Sequence, residues 1–292
     1  MDSIVETALP SLGSHSQPTI GLALGAGGAR GFAHVPVLEV FDELGLKPSI
    51  IAGSSMGALI GAAYAAGMSG RDIRDYALHL ADNRAQVLNR LWGLRPASMR
   101  DALGGFRLGQ FNLQRVLQAF LPPEIPTHFA GLGIPLKVMA TDYYGQCEQI
   151  CDHGDLYEAL AASAAIPALF APVTIKGRLM IDGGIFNPVP YDLLIGEADI
   201  TIGVDVVGAP EGDGSLMPNR IDSLFGASQL MMQSNVALKM KICQPDIYLR
   251  PEVNSFRVLD FLKARQIFEA SEGLKEGLKR EISARMEDFV RR

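Results

Sequence analysis

Residues 49–66 read SIIAGSSMGALIGAAYAA, and the way this stretch divides decides the fold. Its first four residues form a short β-type run. Gly53-Ser54-Ser55-Met56-Gly57 is a tight turn, and residues 56–66 make a helix lined by Gly57, Gly61, Ala62 and Ala65. Small residues at that spacing let a helix lie close against a sheet. By length alone residues 50–68 could cross a bilayer. The β-type start, the Gly-Ser-Ser turn and the dominance of Ala and Gly fit a buried strand, a turn and a buried helix better. Upstream, residues 19–24 are an apolar run ending in glycines. Residues 30–44 have helical spacing through Phe32, Val35, Leu38 and Phe41, stopped by Gly45 and Pro48. The chain therefore opens strand–helix–strand–helix, the pattern of a parallel sheet with right-handed crossovers.

Downstream, Ser69 with Asp72 predicts the N-cap of another helix. Residues 83–106 hold the single Trp, Pro96 and Gly104-Gly105, and read as an irregular excursion, either a lid or a membrane-facing loop. Residues 112–121 predict a helix, 136–141 a strand with 146–151 beside it, and 156–165 an Ala-rich helix stopped by Pro167. Residues 171–175 and 178–181 predict a hairpin around Lys176-Gly177. Beyond a strand at 200–207 and a loop at 208–219, a helix at 221–243, a strand at 246–250 and one long amphipathic helix at 263–292 complete the chain. The division expected is a disordered tail at 1–18, a catalytic domain at 19–250 and a helical extension at 251–292 packed on it. The tail lacks the basic and apolar regions of a signal peptide.

With 292 residues, 48% hydrophobic and 20% charged, the chain can bury a sizeable core. A net charge of -6 excludes a general nucleic-acid binder and gives no global attraction to an anionic membrane. Any membrane contact must be local. Cys147, Cys151 and Cys243 match no zinc spacing and read as reduced thiols, with a Cys147–Cys151 redox pair as the minor alternative. A cytoplasmic setting follows, with a peripheral contact at the inner face of the membrane as an option.

Three motifs carry chemistry. Gly53–Gly57 is G-x-S-x-G, common in loops, but between a strand and a helix it has the context of a nucleophile elbow with Ser55 at its tip. Gly25-Ala26-Gly27-Gly28-Ala29-Arg30-Gly31 also links strand to helix. As a dinucleotide fingerprint it fails, because Arg30 holds the third glycine position and the second strand ends without an acid. A nest of backbone N–H groups, suited to a phosphate or an oxyanion, survives. Asp182-Gly183-Gly184 would ordinarily be only a turn. Yet no histidine follows Asp182, and His79, His128 and His153 fall in helical segments or a turn. A Ser–His–Asp order is therefore unlike this sequence, and a Ser–Asp dyad is the natural alternative.

On these residues the sequence resembles the bacterial patatin-like phospholipase family. Gly25–Gly31 is similar to its oxyanion loop and Gly53–Gly57 to its elbow. Ala162-Ser163-Ala164-Ala165-Ile166-Pro167, with Phe170 and Pro172, is similar to the block before its acid, and Asp182-Gly183-Gly184 with Asn187-Pro188 to its acid motif. Plant members carry an acidic residue where Gly25 stands. The resemblance covers residues 20–207. It implies a three-layer α/β/α fold with a mostly parallel sheet, Ser55 as nucleophile, Asp182 as base, and Gly27 and Gly28 N–H groups as oxyanion hole. No cofactor or metal is implied. The expected activity is that of a phospholipase A or lysophospholipase on acyl-ester lipids. An acyltransferase or a catalytically silent lipid-binding module are the alternatives.

Arg30 has two readings, a contact to a substrate phosphate or a brace for its loop. His34 reads as packing or support. Met231, Met232 and Met240 read as core or a helix–helix contact. The charges of 275–292 read as a solvated face, with a homodimer or membrane contact as alternatives.

Overall fold

The computed structural model describes residues 17–83, 87, 113–212, 214–215 and 217–291. The expectations for residues 1–16 and for most of 83–106 fall outside the described residues. The opening strand–helix pairs are β1 (Ile20–Leu24), α1 (His34–Glu43), β2 (Ile50–Ser54) and α2 (Met56–Ala65). They are followed by α3 (Gly70–Asp82), α4 (Leu113–Phe120), β3 (Leu136–Asp142), β4 (Cys147–Cys151), α5 (Leu156–Ser163), β5 (Val173–Ile175) and β6 (Arg178–Asp182). The chain closes with β7 (Ile200–Val204), α6 (Arg220–Ile242), β8 (Ile247–Leu249), α7 (Ala264–Ser271) and α8 (Leu274–Val290).

One sheet runs β5-β6-β3-β2-β1-β7-β8, with β4 on β3. The β3-β2-β1-β7-β8 portion is parallel, and the hairpin strands join antiparallel. β1, β2 and β7 are buried throughout, as strands covered on both faces must be. Alternate residues divide between two cores. Leu22, Leu24 and Ile51 pack with α1, α2 and α7, while Ala23 and Ala52 face Val189, Tyr191 and Val236 on the opposite side. This is the expected three-layer α/β/α arrangement.

The register along β3 matters most for the site. β2 pairs with Leu136–Met139, and β6 pairs with Ala140–Asp142 on the same edge, because β4 occupies the other edge at both. Ser54 lies opposite Met139, and Asp182 lies opposite the next residue, Ala140. The two motifs thus end at adjacent positions of one strand.

Several local expectations need correction. The first helix does not begin at Arg30. Residues Gly28–Ala33 form a 3-10 turn, and α1 starts at His34, which puts Pro36 in the first turn, where its missing N–H costs nothing. The single terminal helix is two, interrupted at Glu272-Gly273, since glycine is a poor helix former. Its charges are partly intramolecular: Lys275 bridges Glu39 and Glu43, and Lys279 reaches Glu43, tying α8 to α1. Met231 is not core but 61% exposed. Cys147 and Cys151 stand four residues apart on one extended strand, about 13 Å, so they cannot form a disulfide, and all three thiols are free. The Ser69–Asp72 capping box is present in full. Among the described residues no helix is long and apolar enough to cross a membrane.

Candidate active site

Ser55 sits between β2 and α2 with φ 53 and ψ -121, a backbone conformation that an L-residue adopts only under constraint. Such strain costs on the order of 1–3 kcal/mol. Two features hold the turn. Its N–H donates to Ser163 Oγ at 2.9 Å, and Gly57 allows the helix to pass hard against β1, where a Cβ would stand 2.1 Å from the Leu24 carbonyl oxygen. Ser163 is thus a site residue that the motifs alone did not single out. Its signal was present, as the one hydroxyl within an alanine run, Ala161-Ala162-Ser163-Ala164-Ala165.

The Ser55 hydroxyl donates to Asp182 Oδ2 at 2.7 Å, across a sequence separation of 127. The other carboxylate oxygen, Oδ1, accepts the Gly184 N–H at 2.8 Å. The Asp182 backbone is held as well: its N–H donates to the Ala165 carbonyl, and its carbonyl accepts the Thr141 hydroxyl. Asp182 is 3% exposed. Burial raises its pKa from the ordinary 3.8 to about 6, against the opposing hydrogen bonds from Ser55 and Gly184. Among the described residues no cation compensates it directly. The carboxylate is therefore more basic than a solvated one and still largely ionised above pH 7.

The Gly25–Gly31 loop passes the same spot. The N–H groups of Gly25, Ala26 and Ala29 go to the carbonyls of Val204, Pro188 and Val258. Those of Gly27 and Gly28 have no protein acceptor among the described residues, and both glycines line the cavity that contains Ser55 and Asp182. Gly28 has φ +57, and a Cβ there would lie 2.4 Å from the Val258 carbonyl oxygen. Both facts forbid a side chain.

Arg30 is 2% exposed and lines this cavity. Nε donates to the Val206 carbonyl and Nη1 to the Phe256 carbonyl, each at 3.1 Å, and Nη2 donates to the Val207 carbonyl. The Gln229 amide, oriented with its oxygen toward the guanidinium, accepts from Nη1 at 2.8 Å. Burial lowers the Arg30 pKa to about 10, partly offset by Asp205. It remains a cation at neutral pH with its donors directed to the protein.

His34 is fully buried, and its Nε2 meets the Gly25 carbonyl at 2.8 Å. Burial lowers its pKa to about 4, so it is neutral and donates to that carbonyl from Nε2. His79, His128 and His153 pair with Asn83, the Gly154 carbonyl and Asp152, and none lines either cavity at Ser55.

Two compartments meet at Gly28, Ser55 and Ile166. The smaller, about 90 Å³, contains Asp182, Gly27 and the inner side of α6. The larger, about 360 Å³, extends between α2, α3 and α4 through Leu59, Ile73, Leu113, Leu117 and Phe170. Among its described lining residues only Ser55 and Tyr76 carry polar side-chain atoms. The larger compartment was not legible in the motifs, since it is walled by helices that read simply as core, whereas the smaller is lined in part by the motif residues Gly27, Gly28, Ser55 and Asp182.

A constrained serine between a central parallel strand and a helix, facing a glycine-rich loop, is the arrangement of the α/β serine-hydrolase class. The chain belongs to the patatin-like phospholipase family, whose family model matches residues 22–195. It is 36% identical over 198 residues to an uncharacterised NTE family protein of Mycobacterium tuberculosis, covering 68% of this chain and 51% of that protein. It is 27% identical over 277 residues to patatin-like phospholipase domain-containing protein 6 of Homo sapiens, covering 86% of this chain and 19% of that protein. The chain spans about half the length of the mycobacterial relative and about a fifth of the human one. Among solved structures it is similar to VipD from Legionella pneumophila, with a TM-score of 0.47 and 14% identity over 90% of this chain and 66% of that one.

Proposed function

We propose that the protein is a serine lipid acyl-hydrolase acting on long-chain acyl esters, of phospholipase A or lysophospholipase type. The observation that carries this reading is the direct 2.7 Å hydrogen bond from the Ser55 hydroxyl to a buried carboxylate held near pKa 6. In the reaction, Ser55 Oγ attacks the ester carbonyl carbon as its proton passes to Asp182 Oδ2. The carbonyl oxygen becomes an oxyanion facing the Gly27 and Gly28 N–H groups. Collapse breaks the ester C–O bond, and the proton on Asp182 goes to the departing alkoxide. Water, deprotonated by Asp182, then attacks the acyl-enzyme and releases the fatty acid and Ser55.

The large apolar compartment suits the acyl chain, and the smaller one suits the leaving group. Arg30 is assigned to bracing the oxyanion loop, because its donors are already taken by Val206, Val207, Phe256 and Gln229. The test is a hydrolysis panel of lysophospholipids, phospholipids and short acyl esters with the parent protein and Ser55→Ala. A loss of at least about 10³-fold in kcat, with loss of fluorophosphonate labelling, is expected. Near-normal turnover by Ser55→Ala would overturn the assignment.

A further inference from the structure

The long helix α6 breaks the usual rule for a surface helix. From residue 223 to residue 238 it carries no charge. Its inner side is occupied, with Gly226, Gln229 and Val236 buried. The outer side should then be polar. Instead Ile221, Leu224, Leu230, Met231, Leu238 and Ile242 are 53–86% exposed. Leu224, Met231, Leu238 and Ile242, with Ala227 and Ser234, make one stripe along the helix, and Leu230 and Ile221 stand on its two margins.

This stripe runs into the entrance of the site. Leu224 is at once exposed and part of the wall of the smaller compartment. A second exposed apolar group, Leu259, Phe261 and Leu262, stands beside it. Phe261 and Leu262 line the larger compartment, and Val258 lines the smaller. Arg257 bridges to Asp222 at 3.8 Å, which holds this segment against the first turn of α6. Lys263 bridges to Asp260 at 2.9 Å. Arg257 and Lys263 are thus paired, while Arg220 and Lys241, exposed near the two ends of α6, have no ion pair among the described residues.

We propose that the outer face of α6, with Leu259, Phe261 and Leu262, docks on a zwitterionic phospholipid bilayer and opens both compartments toward it. This rests on the lipid-hydrolase reading for its purpose, since an acyl ester would pass from the bilayer to Ser55 without crossing water. Area argues against a second copy of the chain as the occupant. The exposed stripe is about 27 Å long and about 10 Å wide, roughly 300 Å², against the ~800 Å² per partner that a stable dimer needs. Net charge argues against an anionic surface, since the chain carries net charge -6. Shallow burial of an apolar helix face at the headgroup boundary needs neither a large area nor a charge match.

The test uses the full chain as Ser55→Ala, so that catalysis plays no part, in co-sedimentation with phosphatidylcholine vesicles at low and high salt. Binding at both salt concentrations is expected. Adding Leu230→Glu, Met231→Glu and Leu238→Glu together should lower the partition coefficient at least about tenfold with the melting temperature retained. The milder triple serine variant at the same positions should give an intermediate loss and covers the case in which the glutamates disturb folding. The proposal is overturned if the parent does not bind, if binding vanishes at high salt, or if the folded variants bind as the parent does. It is also overturned if the parent is a dimer that the glutamates dissociate. Failure of the wild-type chain to hydrolyse any lipid ester would count against the function, but would leave this vesicle result standing.

Discussion

Replacing Asp182 with asparagine should make the protein more stable and nearly inactive, and the stability gain should depend on pH in a defined window. The buried carboxyl titrates at about 6 in the fold and at an ordinary 3.8 when solvated. The folded chain therefore holds this proton more tightly than the unfolded chain. Stability falls as pH rises between about 4 and about 6, and the whole cost is present above about pH 7. At about 1.4 kcal/mol per pH unit, ionising Asp182 in place costs roughly 3 kcal/mol. Asp182→Asn cannot ionise. Its amide oxygen can keep the bond from Gly184, and its NH2 can meet the Ser55 hydroxyl. The variant should match wild type in pH response below about pH 4, then pull ahead by roughly 3 kcal/mol at pH 8, a rise in Tm of roughly 5–8 °C. Paired urea or thermal unfolding curves across this range measure it. Ester hydrolysis should fall by on the order of 10³–10⁶-fold, and wild-type kcat/KM should rise with pH to half its plateau near pH 6. A stability difference independent of pH would refute the energetic argument. A folded Asp182→Asn protein with substantial turnover would refute the base assignment.

Gly28→Val should fold poorly or lose about 10²–10³-fold in kcat, because the residue lies at φ +57 with the Val258 carbonyl 2.4 Å from the added carbon; a folded variant with full kcat, in steady-state assays, removes the loop from the mechanism. Arg30→Met should lower Tm and kcat while leaving discrimination between phosphorylated and uncharged esters unchanged, since its donors serve the protein; a selective loss on phospholipids would restore the phosphate-binding reading. Single alanine changes at His79, His128 and His153 should each cost less than about tenfold in kcat, because each pairs away from Ser55; one inactive histidine variant would demand a triad.

What could be read from the chain was what local physics dictates. The stretch at 49–66 gave β2, the elbow and α2 because an apolar run, flanking glycines and a small-residue helix admit few other structures. The Ser69–Asp72 cap was legible for the same reason. What escaped depends on packing between distant segments. The start of α1 shifted because Gly28 turns through positive φ to pass Val258, a residue more than two hundred positions away. The break at Gly273 was not legible because an isolated glycine is often tolerated inside a helix, as Gly277 is within α8. Met231 read as core because Met usually is, yet the helix turns it to solvent. The acyl-sized compartment could not be read at all, since Leu113 and Leu117 have the same spacing whether they touch protein or empty space.

The sheet explains why a two-residue relay is the economical reading of this site. β2 and β6 follow one another along a single edge of β3, so Ser54 and Asp182 face consecutive residues, Met139 and Ala140. The chain turns at Ser55 just where the neighbouring strand ends in a carboxylate, and the side chains meet at 2.7 Å. An imidazole inserted between hydroxyl and carboxylate would need them several ångströms farther apart, and β6 could not retreat without giving up its pairing with β3 and the Thr141 hydrogen bond. The same closeness forces the acid into the core, where burial raises its basicity. Position and pKa therefore have one cause: the strand register that brings Asp182 to Ser55 also removes the water that would have kept it an ordinary, weaker base.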